Sequence, residues 1–160
     1  MVSEEQGRVE ATASIDIDRP IDDVFRFITD VGRMPVWVTG VTRAWLASAA
    51  MGRDTQFVLS YLGGWRETEL AVVVTAYDPP RSIAFQTERG PFAWEGRIEL
   101  EPTEAVTRVT SIIEAGPDSL STRFANLVLG PIIRASMVRR LRTELEALSA
   151  AIEADPSVKH

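Results

Sequence analysis

Val9, Ala11, Ala13, Ile15 and Ile17 are apolar, and Glu10, Thr12, Ser14 and Asp16 between them are polar. A period of two predicts a strand with one face buried. Ile21, Val24, Phe25 and Ile28 follow at i, i+3, i+4 and i+7, the spacing of a helix that packs along one face. Asp18-Arg19-Pro20 stands just ahead, with proline near the first helical position. Asp22 and Asp23 occupy the first turn, where the helix dipole favours anions. Asp30 to Trp37 reads as a break followed by a short second helix or turn.

From Val41 to Ala115 the pattern is strands and turns, with strands expected near 53–62, 65–77, 81–88, 92–101 and 106–115 and a weaker one near 41–47. Gly63-Gly64 is a two-residue hairpin signal, because both positions tolerate positive φ. Asp78-Pro79-Pro80-Arg81, Arg89-Gly90-Pro91 and Glu101-Pro102-Thr103-Glu104 mark three further turns. Strands joined by tight turns form an antiparallel meander. After Gly116-Pro117-Asp118-Ser119 a long helix is predicted from Leu120 to Ala154. Its apolar stripe includes Leu120, Phe124, Val128, Ile132, Val138, Leu141, Leu145, Leu148 and Ile152. Proline cannot complete the i→i−4 ladder, so a kink or break is expected at Gly130-Pro131.

A turn confined to Gly63 and Gly64 pairs Tyr61 with Arg66, Leu59 with Thr68, Phe57 with Leu70 and Thr55 with Val72. This gathers the apolar residues on one face. Phe85, Phe92, Trp94, Ile98 and Val109 extend that face, while Glu88, Glu95, Arg97, Glu99 and Arg108 lie on the opposite, solvated one. Helix against concave sheet is the natural packing, and a bent sheet gripping one helix leaves a pocket between them. The fold class is therefore α+β, a curved antiparallel sheet of about seven strands in the order β-α-α-β6-α, wrapped around a long C-terminal helix.

Composition narrows the chemistry. The chain has 160 residues, the size of one domain; residues 1–7 and 155–160 read as loose ends around a core of about 8–153. With 17 Lys+Arg against 23 Asp+Glu, the net charge of −6 lacks the basic excess of a nucleic-acid binder. There is no cysteine and the single histidine is His160, so neither a Ser-His-Asp triad nor a usual zinc site is expected. No metal and no cofactor are expected. No apolar segment follows Met1, and Leu70-Ala71-Val72-Val73-Val74 is too short to span a bilayer. A cytoplasmic protein with no integral membrane segment is the expectation.

The order of elements, with Ile17-Asp18-Arg19-Pro20, Val24-Phe25, Asp30, Pro35, Trp37, Gly52, Tyr77-Asp78-Pro79-Pro80-Arg81 and the terminal helix, resembles the START-like helix-grip superfamily. That group, also called SRPBCC, includes polyketide cyclase/dehydrase-like proteins and shares the birch-pollen-allergen type of fold. The resemblance implies a cavity that binds lipids, hormones or polyketides, and in some members cyclises aromatic polyketides.

The expected partner is thus a small hydrophobic or aromatic ligand, polyketide- or lipid-like, with a homodimer left open. Polyketide cyclase/dehydratase chemistry in the same cavity is one alternative; a protein-interaction module with a closed core is another. Candidate ligand-binding residues are Phe57, Leu59, Tyr61, Arg66, Thr68, Phe85, Trp94, Ser111, Phe124 and Val128. The aromatic rings would form the wall. Arg66, Tyr61, Thr68 and Ser111 would hydrogen-bond or polarise a ligand oxygen, although Arg66 stands near a hairpin tip, where long cations usually reach water. Trp37 is expected to pack the first helices onto the sheet. Arg134, Arg139, Arg140 and Arg142 form a basic cluster that would balance neighbouring glutamates or meet an anionic surface. Catalytic residues remain unassigned.

Overall fold

The computed structural model describes residues 9–48, 50–63, 65–90, 94–104, 106–115 and 120–156; of residues 63, 115 and 120–130 it describes the backbone alone. Strand β1 (Val9–Ile17) leads into helix α1 (Ile21–Thr29), a 3₁₀ turn (Val31–Arg33) and the short helix α2 (Met34–Trp37). Six strands follow: β2 (Val41–Leu46), β3 (Gln56–Gly63), β4 (Arg66–Asp78), β5 (Ser82–Arg89), β6 (Trp94–Pro102) and β7 (Thr107–Ala115). Helix α3 (Leu120–Ala154) closes the fold.

The strands form one antiparallel sheet in the order β1-β7-β6-β5-β4-β3-β2. The meander is consecutive, while the first two strands of the chain take opposite edges. Register shifts between Val41 and Arg43, between Ala71 and Val72, and between Val74 and Ala76 bend the strands concerned. This is the helix-grip fold expected from the sequence.

The β3–β4 register differs from the expected one by two residues. Gly63 belongs to β3 and pairs with Arg66, so that Tyr61 faces Thr68, Leu59 faces Leu70 and Phe57 faces Val72. A shift of two preserves the side-chain alternation, so the same residues remain inside.

Alternate residues of each strand fill the core. Ile17, Val72, Val74 and Val109 are fully buried from the sheet, and Leu141, Leu145, Leu148 and Ile152 from α3. Phe25 and Ile28 bring α1 onto the same core. Among the described side chains of the expected α3 stripe, Ile132 departs from it, being 68% exposed. Of the kink or break expected at Gly130-Pro131, the break does not occur: α3 runs through Pro131 as one helix.

The end of α3 is anchored by two arginines. The buried Arg19 donates from Nη2 to the Glu153 carbonyl at 3.1 Å and from Nη1 to the Asp18 carbonyl at 2.6 Å. The Thr107 hydroxyl donates to the Arg19 carbonyl at 2.8 Å, tying that corner to β7. Arg33 pairs with Asp155 and lies over the Phe27 ring. Asp155, placed among the loose C-terminal residues by the sequence pattern, is therefore held against the 3₁₀ turn. Among the described residues no helix is long and apolar enough to cross a membrane.

Candidate functional site

Between the sheet and α3 lies a cavity of about 260 Å³. Its floor is an aromatic row built across three strands. Phe57 meets Phe85 edge-on, with ring centroids 6.4 Å apart, and Phe85 meets Trp94 edge-on at 5.4 Å. Edge-to-face packing is the arrangement that aromatic quadrupoles favour. Gly96 makes room for it, because a Cβ there would lie 2.6 Å from Phe85 Cε2. Leu59, Leu70, Ile83, Ile98 and Ile113 add aliphatic surface from the sheet, and Met137 and Leu141 face them from α3. Trp37 and Val38 close the side nearest α2.

Six of the sequence-predicted site residues meet here: Phe57, Leu59, Tyr61, Phe85, Trp94 and Ser111 all line the cavity. Ser111 sits on the inner face between Ala13 and Ile98, and its hydroxyl makes no hydrogen bond among the described residues. Arg66 is a correction. It lies at the end of the β3–β4 hairpin, is exposed, and does not line the cavity. Thr68 is half-buried opposite Tyr61, and it too stays off the lining. Thr87 bonds backbone: its Oγ1 accepts from the Trp94 amide at 3.3 Å. Phe92 and the side chains of Phe124 and Val128 lie outside the described residues.

The polar end of the cavity comes from residues the pattern did not single out as ligand-binding. Arg140 and Glu144 stand one turn apart on α3, and both line the cavity with Tyr61. Arg140 donates from Nε to Glu144 Oε1 at 3.0 Å, from Nη1 to the Tyr61 hydroxyl at 3.1 Å and from Nη2 to the Thr39 carbonyl at 2.9 Å. The Thr39 amide donates to the same Glu144 oxygen at 3.1 Å. The guanidinium also lies 5.4 Å from the Tyr61 ring centroid. Gly40 fixes that ring: it has φ +86°, and a Cβ there would stand 2.5 Å from Tyr61 Cε2.

Glu144 is buried. Burial pushes its carboxyl above the ordinary range, while the hydrogen bond and charge of Arg140 and the Thr39 amide pull the other way. Burial alone would lower the Arg140 guanidinium, but the Glu144 hydrogen bond and charge, with Tyr61, outweigh it and raise it. The signal for this pair was its i, i+4 spacing beside Met137 and Leu141. Trp37 also lines the cavity without having been singled out as ligand-binding; its Nε1 is buried without a hydrogen-bond partner among the described residues. Glu67 lies on the solvated face of the sheet. The Thr42 hydroxyl at 2.6 Å and then the Ser60 hydroxyl at 2.8 Å hold its carboxyl below the ordinary range.

A family model described as polyketide cyclase / dehydrase and lipid transport matches residues 8–153. The chain belongs to this family. No curated protein sequence matches the chain significantly. Solved structures share the fold of this chain at low identity. A START superfamily protein from Mycobacterium smegmatis is 15% identical, with a TM-score of 0.75 over 91% of this chain and 97% of that one. The Zhui aromatase/cyclase from Streptomyces sp. R1128 is 15% identical, with a TM-score of 0.71 over 91% and 94%. Major latex-like protein 151 from Panax ginseng is 14% identical, with a TM-score of 0.64 over 91% and 97%.

Proposed function

We propose that this chain is a cytoplasmic single-domain protein that binds a small hydrophobic or aromatic molecule between its sheet and α3. The observation that carries this reading is the cavity of about 260 Å³ floored by Phe57, Phe85 and Trp94, with only a few polar groups on its lining, among them Tyr61, Arg140 and Glu144. Such a chamber suits a planar ring system, and sparse polar groups orient it. Family membership supports the reading, since the family description names polyketides and lipids. A second reading, cyclase or dehydratase chemistry in the same cavity, is favoured by the Tyr61–Arg140 hydrogen bond at the wall, a donor pair able to polarise a carbonyl.

One experiment tests both. Purified protein is titrated with aromatic and polyketide-like probes while its melting temperature is followed, and the probe is then released and weighed by mass spectrometry. A ligand at one hundred times its Kd stabilises the folded state by about 2.7 kcal/mol, a rise of several degrees. Recovery of the probe unchanged supports binding alone; recovery with loss of water supports the enzymatic reading. If no probe of this class raises the melting temperature, the cavity is not a ligand site.

A further inference from the structure

The polar end of the cavity carries one cation and one anion, and they neutralise each other. Arg140 Nε and Glu144 Oε1 are 3.0 Å apart, with the carboxylate buried. The other cation on the lining, Arg97, turns to the outer face, where it pairs with Glu99 at 2.9 Å. Among the described lining residues, therefore, no charge is left to balance a ligand ion. A guanidinium has five N–H groups. Glu144, Tyr61 and the Thr39 carbonyl engage one each, which leaves one on Nη1 and one on Nη2. These two can serve a neutral acceptor.

Resting on the reading of the cavity as a binding site, we infer that its ligand is electrically neutral. It presents a carbonyl, amide or hydroxyl group to the Tyr61–Arg140–Glu144 end, and carboxylate-bearing molecules such as free fatty acids are rejected. Taking a carboxylate out of water is costly unless a cation is available to pair with it. Here the cation is committed to Glu144, and the incoming anion would also face that carboxylate across the same guanidinium. Neutral acceptors escape both costs. Glu144 thus sets specificity by holding the charge of Arg140 in balance; it is a positioning residue rather than a catalytic one.

The test uses naphthamide and naphthoate, which share a ring skeleton and differ by one charge at neutral pH. Isothermal titration of the wild-type protein is expected to give naphthamide the tighter binding by about tenfold or more. Glu144→Gln frees the charge of Arg140 and is expected to shrink or reverse that ratio, with circular dichroism confirming the fold. Arg140→Gln is the mirror variant, expected to widen the ratio, and it keeps the test decisive should Glu144→Gln fail to fold. Naphthoate bound as tightly as naphthamide by the wild type, or a ratio that neither variant moves, overturns the inference while leaving the binding site standing. If neither compound binds, the reading of the cavity falls, and the inference with it.

Discussion

At Gly96 a Cβ would lie 2.6 Å from Phe85 Cε2 and 3.1 Å from Trp94 Cζ3. The absent side chain is what lets the two rings meet edge-on. Gly96→Ala is therefore expected to displace Phe85 into the chamber, lower stability by about 1–3 kcal/mol in urea unfolding, and weaken binding of aromatic probes. The legibility of single residues followed from their position in a periodic pattern. Phe57, Phe85 and Trp94 could be placed on the inner face because strand alternation decides it. Arg66 shares that alternation with Tyr61, yet lies far enough along the hairpin to reach water. Arg140 takes the place beside Tyr61 instead. The sequence pattern grouped it with three other arginines, because which of them turns inward depends on the rotation of α3 against the sheet, a long-range packing outcome.

At the scale of elements, alternation proved more robust than register. Gly63 continues β3 instead of making the turn, so every β3–β4 pair moved by two while every face stayed as expected. Pro131 behaved similarly: its local preference against helix is overridden, and α3 passes through it. Such preferences are of order 3 kcal/mol, within reach of what packing a long helix supplies. The far end of α3 depends on fewer groups. Arg19 caps the Glu153 carbonyl from a buried position, where the helix dipole presents its negative end. Arg19→Met preserves bulk and removes the donors. It is expected to cost about 1–3 kcal/mol and to speed hydrogen exchange in the last turns of α3, with the centre of β6 unaffected.

For the whole molecule, the four tryptophans report on different surroundings. Trp37 and Trp94 line the cavity, Trp65 is 92% exposed, and Trp45 is 36% exposed on an edge strand. Saturation with an aromatic ligand is expected to alter the emission of the cavity tryptophans while acrylamide quenching of Trp65 is unchanged. Trp94→Phe should remove most of the ligand-linked signal in a fluorescence titration. The existence of the chamber was legible from a sheet with one apolar face and a single long helix. Its polar end was not, since Thr39, Tyr61, Arg140 and Glu144 are brought together from α3 and two other parts of the chain only by the closed fold.

The edge positions of β1 and β2 carry a consequence for how the molecule is made. Each pairing of β1 with β7, from Ile17 with Thr107 to Val9 with Ala115, closes a loop containing β2 to β6. Loop closure on that scale is slow, so the first strand synthesised is among the last to be seated. Until then α1 and α2 have no second edge to bridge, and α3 has no β1 to lie along. On the proposed function, capture of a ligand between the sheet and α3 would then report that folding has finished.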